Sequence, residues 1–301
     1  MFCTGISDEA AVDLAGQIDA HRALGWKTLE LRAADGLPVH QMDEAHLDRV
    51  AAALDDAGIA VCGIGSVVAN WGRQVTDPFE QTIAELAATL RAARVLRAPR
   101  LRVMSYAVLP DRAATDQMAE ERFRRLREIT ARCLDAGVAP VHENCMNYGG
   151  MGWRYTLELL EQVPGLELVF DTGNPVFAMD RNEEPPKGRQ SAWEFYEHVR
   201  HAVTHVHVKD ARWNEATGKA DFCFPGEGEG DVARIVADLA ARGYDGALSI
   251  EPHMSVVFHD AASGAADPAR QRANYVEHGR RLERIVGACA NGRGGARWAS
   301  A

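Results

Sequence analysis

Along the chain, apolar positions fall into two alternating spacings. Short runs at 2–7, 26–32, 59–64, 100–105, 139–143, 166–171, 203–208 and 246–251 are dense in Val, Ile, Leu and Phe, and they read as strands. Longer segments between them carry apolar residues three and four apart. In 9–24, for example, Ala11, Leu14, Ala15 and Ile18 share one face, which is the spacing of a helix. The same spacing predicts helices over about 43–57, 77–96, 114–136, 154–162, 191–201 and 231–241, with a closing helix over about 268–288. Glycines at 25, 58, 137 and 243 stand where helices must stop. Eight strands, each followed by a helix with only short connections, predict a single (β/α)8 TIM barrel of the α/β class over residues 1–290, with a flexible Gly, Arg and Ala rich tail at 291–301. A doubly wound open sheet is the competing arrangement. It calls for fewer strands and a glycine-rich first turn, and here the first strand runs into Ser7, Asp8 and Glu9.

Composition narrows the classes further. At 47% hydrophobic and 25% charged residues the chain is of ordinary globular make-up. No apolar run reaches the roughly 18 residues of a membrane helix, and the first residues have neither a basic start nor a long apolar stretch, so a cytoplasmic protein with no membrane partner is expected. Six cysteines spread over the chain without a C-x-x-C pair read as reduced thiols, not as a disulfide framework or zinc ribbon. A formal net charge of −10 speaks against a nucleic-acid partner, whose phosphates require clustered Lys and Arg.

The run Thr204, His205, Val206, His207, Val208, Lys209, Asp210 stands out. If it is a strand, Val206 and Val208 face one layer while His205, His207 and Lys209 share the other face. Three further strand runs end in an acid, at Glu143, Asp171 and Glu251. In a parallel barrel the chemistry sits at the C-terminal strand ends, where these residues and His207 fall on strands five to eight. Three carboxylates together repel unless a cation lies among them, and a mostly oxygen donor set with one imidazole suits one divalent ion: Mn2+ first, with Mg2+, Co2+ or Zn2+ as alternatives.

Around these residues the sequence resembles the sugar phosphate isomerase/epimerase family of xylose isomerase-like barrels. The matching pieces are Ile6-Ser7-Asp8-Glu9, Leu29-Glu30-Leu31-Arg32, His142-Glu143-Asn144, Phe170-Asp171-Thr172-Gly173-Asn174, His207-Val208-Lys209-Asp210, the loop 225–230 and Ser249-Ile250-Glu251-Pro252. The resemblance implies a metal held by Glu143, Asp171, His207 and Glu251, with Glu143 and Glu251 also the catalytic acid/base pair. Asn174 departs from the pattern, since many members carry His there; Asn keeps a hydrogen bond to substrate and loses the proton carrier. The family's range implies an isomerase or epimerase of a keto sugar or related polyol working by proton abstraction next to a carbonyl. A dehydratase or 3-keto-glycoside deglycosidase is the alternative, and a non-catalytic sugar-binding barrel the second.

Further substrate contacts are expected from Lys209, Arg32, His253 and Asn174, and from Trp71 and Trp153, which lie with Trp213 in loops after strands. Buried Glu30 calls for a cation such as Arg102. His205 reads as a core histidine or as a partner to the site, and Asp210 as a loop cap. The glycines of 226–230 suggest a phosphate cradle, but Glu227 and Glu229 would repel a dianion, so a non-phosphorylated small carbohydrate is the expected partner, with room for a homo-oligomer or partner subunit.

Overall fold

The computed structural model describes residues 1–186, 188–254 and 267–291. Eight parallel strands make one sheet: β1 (Phe2–Gly5), β2 (Thr28–Leu31), β3 (Ala60–Ile64), β4 (Arg100–Val103), β5 (Ala139–Glu143), β6 (Glu167–Asp171), β7 (Val203–Val208) and β8 (Ala247–Ile250). They are hydrogen-bonded in the order β1-β8-β7-β6-β5-β4-β3-β2, and a single parallel bridge from Ile6 to Glu30 brings the two ends together as a nearly closed barrel. Between them run α1 (Leu14–Leu24), α2 (Glu44–Ala57), α3 (Phe79–Leu96), α4 (Ala119–Asp135), α5 (Trp153–Gln162), α6 (Ala192–Val199) and α7 (Val232–Ala241), and α8 (Pro268–Asn291) follows the last strand. All eight strands lie where periodicity placed them. The expected tail lies outside the described residues apart from Asn291.

Helix ends follow local chemistry. The carboxylates of Asp13 and Asp43 and the hydroxyl of Ser191 accept from backbone N–H groups of the first turns of α1, α2 and α6. Gly25 (φ 71°) and Gly58 (φ 65°) close α1 and α2 in the left-handed region. Two starts differ from expectation. Residues Ser7–Glu9 form a separate 3-10 turn, and α1 begins only after Asp13. Ahead of α4, the chain is held instead by the buried side chain of Gln117, which accepts from Leu109 N and donates to the carbonyls of Leu109, Arg112 and Ala113.

Two short hairpins, Ala33–Ala34 with Leu37–Pro38 and Asp210–Asn214 with Lys219–Cys223, extend the loops after β2 and β7. Their strands are short and lack a buried alternating face, so the spacing of apolar residues does not mark them. Both stand at the C-terminal mouth of the barrel.

Candidate active site

Strand pleating aims one side chain from each of four consecutive strands at the barrel mouth. Glu143 ends β5, Asp171 ends β6, His207 is the fifth residue of β7, and Glu251 follows β8; all four are buried, and one donor atom from each lies within 4.8 Å of the others. His207 Nδ1 is 3.3 Å from Glu143 Oε1 and 4.0 Å from Glu251 Oε2.

Cations of the chain meet these acids. Arg102 Nη1 is 3.0 Å from Glu143 Oε2, Lys209 Nζ is 2.7 Å from Glu251 Oε2 and 3.1 Å from Asp171 Oδ2, and Arg32 Nη1 is 3.0 Å from Glu251 Oε1. The repulsion that on sequence grounds called for a metal is therefore offset in part by Arg32, Arg102 and Lys209. Burial raises the Glu143 carboxyl, but Arg102 and His207 outweigh it and hold it down at about 2. Glu251 is likewise buried and is drawn well below the usual range by Lys209, His253, His207 and Arg32. Asp171 differs: burial dominates and lifts it to about 6 against the pull of Lys209. Both glutamates are ionised at neutral pH, as a base must be.

Two buried atoms in this group lack an aligned hydrogen bond, Asp171 Oδ2 and His207 Nδ1. The other halves of both side chains are fully used. Asp171 Oδ1 accepts from Gly173 N and Asn174 N at 2.8 Å each, and His207 Nε2 lies 3.1 Å from both Glu30 oxygens. Asp171 Oδ2 faces the Lys209 ammonium at 3.1 Å and His207 Nδ1 faces Glu143 Oε1 at 3.3 Å, and both atoms stand in a set of carboxylate oxygens whose donor chemistry fits a divalent ion.

Glu30 is paired differently from expectation. Arg102 goes to Glu143, and Glu30 instead takes His205 Nε2 at 2.9 Å, His207 Nε2 and the hydroxyl of Ser249 at 2.8 Å. His207 and His205 hold Glu30 well below its usual range although burial opposes them. His205 thus sits beneath the site as Glu30's partner. Arg32, expected at substrate, is a hub: Nε donates to both oxygens of Asp8 (3.1 and 3.0 Å) and Nη2 to Glu9 Oε1 (3.1 Å). Asp8, legible in sequence as a cap of the first helix, and Glu9 instead pair with an arginine 24 and 23 residues away, which spacing along the chain does not reveal. His253 meets the same Glu9 carboxylate, with Nδ1 2.8 Å from Oε1 and its backbone N–H donating to Oε2 at 3.0 Å, and its Nε2 lies 4.0 Å from Glu251 Oε1. Asn174 donates to Glu143 Oε1 (3.2 Å) and to Asn144 O (2.9 Å), so it braces the proposed base.

Above these groups lies a cavity of about 470 Å³. Arg32, Glu143, Asn174, Lys209, Glu251, His253 and Trp71 all line it. Trp153 does not; it stacks on His198 with ring centres 3.7 Å apart on the outside of the barrel. Trp213 lies on the hairpin beneath the Arg189 guanidinium. The glycine loop is also accounted for: Gly226, Gly228 and Gly230 donate their backbone N–H groups to the Asp210 carboxylate at 2.8, 3.0 and 2.9 Å. Its amides already hold an anion belonging to the chain, and Asp210 is the loop cap expected of it.

A family model for the xylose isomerase-like TIM barrel matches residues 18–281. The chain belongs to the xylose isomerase-like TIM barrel family. Solved xylose isomerase-like barrels superpose over nearly the whole chain. A D-tagatose 3-epimerase-like protein shares 16% identity at a TM-score of 0.69, covering 96% of this chain and 100% of its own. A xylose isomerase-like TIM barrel protein from Mycobacterium smegmatis in complex with magnesium shares 14% at 0.67, covering 96% and 97%. A probable 3-DHS dehydratase from Bacillus anthracis shares 16% at 0.67, covering 94% and 99%. No curated protein matches the sequence. At these identities the likeness establishes the fold.

Proposed function

We propose that this xylose isomerase-like barrel is a divalent-metal-dependent isomerase or epimerase of a keto sugar or related polyol, acting by proton transfer at the carbon next to the carbonyl. The observation that carries the reading is the convergence of Glu143, Asp171, His207 and Glu251, with Asp171 Oδ2 and His207 Nδ1 facing inward. Glu143, Asp171, His207 and Glu251 would hold the ion, Mn2+ by preference, which when bound polarises the carbonyl and neutralises the charge that develops on its oxygen. The barrel's relatives support the reading in kind, since they include an epimerase-like protein and a magnesium complex.

The rest of the work falls to the chain. Glu143 and Glu251 are ionised and flank His207, so either can take the proton from the substrate carbon; the same carboxyl then gives it back, or the opposite glutamate, protonated from solvent before it acts, delivers a proton on the other face. Arg102 and Asn174 orient Glu143, while Arg32 and Lys209 orient Glu251. Lys209 Nζ, already among the carboxylates, is placed to donate to an enediolate oxygen. Glu143, Lys209 and Glu251 are themselves buried at the floor of the cavity. Proton return on the other face gives an epimer, and at the neighbouring carbon an isomer. A dehydratase or deglycosidase would share the first step.

The test is solvent exchange. The metal-loaded enzyme is incubated in D2O with a panel of ketoses, inososes and 3-keto-glycosides, and deuterium is sought next to the carbonyl. Exchange with at least one is expected, lowered roughly 10^2 to 10^4-fold in Glu143→Gln and in Glu251→Gln. Exchange that survives both replacements would rule the mechanism out. Metal content after mild dialysis, compared between wild type and His207→Ala, checks the ion separately: equal content refutes it.

A further inference from the structure

The floor and the walls of the cavity differ in chemistry. The floor is charged and crowded with acid–base groups. The walls are apolar: Val12, Val39, Val67, Trp71, Met146 and Phe177 line them. Large apolar side chains are seldom left exposed in one place without a purpose. Among the described residues six are exposed, and three of the six, Val12 (62%), Trp71 (38%) and Met146 (37%), surround this one opening.

A bare polyol suits the floor and not the walls. Its outer hydroxyls would lose water against Val, Met and Trp side chains and find few partners, which opposes binding. Of the hydroxyls lining the cavity, that of Ser66 is already committed to Arg102 O and Val68 N, and that of Thr89 donates to Glu85 O. Asn70 Oδ1 accepts from Gly72 N within its own turn. The volume of about 470 Å³ is in the range of cavities that take drug-sized ligands.

We propose that the substrate is a keto-glycoside or substituted polyol carrying an apolar aryl or alkyl group, with the carbonyl end on the carboxylate floor and the apolar group against Val39, Val67, Met146 and Phe177. The inference rests on the proton-transfer reading for the orientation of the carbonyl end, and on the walls alone for the apolar group.

Two experiments separate these parts. In the first, methyl and phenyl β-D-glucoside, with the corresponding galactosides beside them, are titrated calorimetrically into the wild-type protein; lacking the carbonyl, they bind without turning over. The phenyl glycoside of at least one pair is expected to bind at least about tenfold tighter than its methyl counterpart. Met146→Glu and Val67→Asp are each expected to bring that ratio toward one. Equal affinities, no binding by any phenyl glycoside, or a ratio unchanged in both variants overturns the proposal. In the second, methyl and phenyl 3-keto-glucoside are compared for deuterium exchange. Exchange with both alongside equal affinities removes the apolar subsite and leaves the mechanism. A tenfold ratio with no exchange removes the mechanism and supports the subsite.

Discussion

Glu30 shows how one buried side chain can set the behaviour of another. It lies under His207 and takes both His207 Nε2 and His205 Nε2, with Ser249 Oγ as a third partner. This leaves His207 Nδ1 alone facing Glu143 and Glu251. A carboxylate behind a ligating imidazole fixes the ring's orientation and raises its basicity. Glu30→Gln is therefore expected to weaken divalent-metal affinity roughly 10 to 100-fold with the fold retained. Metal titration followed by calorimetry, with circular dichroism on the same samples, checks this; unchanged affinity would show that Glu30 only fills the core. The sequence exposed Glu30, His205 and His207 as inward-facing polar residues. It could not show which pairs form, because the partners are 175 and 177 residues apart.

At the scale of the element, the loops after the strands are held by buried polar side chains. Arg122, on the first turn of α4, is fully buried and donates to the carbonyls of Ser105, Tyr106, Ala107 and Gln117. Burial lowers this guanidinium to about 10, still charged at neutral pH. Replacement by Met would leave these carbonyls without partners, so Arg122→Met is expected to destabilise by about 3 kcal/mol or more. Urea unfolding measures it, and a loss under about 1 kcal/mol, the size of an ordinary surface change, would contradict the assignment. Asp210 plays the same part for the 226–230 loop. Asp210→Asn keeps only one acceptor oxygen for four backbone N–H groups, those of Ala211, Gly226, Gly228 and Gly230, and is expected to cost about 1–3 kcal/mol. An unchanged denaturation midpoint would count against it. In sequence Arg122 looks like an ordinary surface charge and Asp210 like a cap without named partners, since the backbone groups they meet belong to irregular segments with no pattern of their own.

For the whole molecule, α8 matters because it returns to pack beside α1 and β1, where Tyr275 donates its hydroxyl hydrogen to His21 Nε2 while His21 Nδ1–H donates to Thr28 O, both at 2.8 Å. Burial lowers His21 to about 4, outweighing the Thr28 hydrogen bond, so the folded chain keeps it neutral at a pH where the unfolded chain protonates it. The stability it contributes is complete above the unfolded value of about 6.5 and is lost as pH falls from there to about 4, at about 1.4 kcal/mol per pH unit. The difference in stability between wild type and His21→Gln should accordingly shrink by about 2–3 kcal/mol between pH 7 and pH 4.5. A constant difference would mean that His21 takes up its proton as readily in the fold as in the unfolded chain. The sequence by itself determined what depends on neighbours in the chain: eight strands and eight helices from periodicity, two helix ends from Gly25 and Gly58, and the strand-end positions of Glu143, Asp171, His207 and Glu251. Only the tertiary structure decided what depends on closing the barrel. That closure put Lys209, Arg32 and Arg102 among the acids, sent Trp153 outward while Trp71 lines the cavity, and gathered apolar side chains from separate loops into its walls. The physical reason is that strand and helix spacing record which face of an element is buried, whereas pairing across a barrel is a three-dimensional selection among many charged groups that each look alike in sequence.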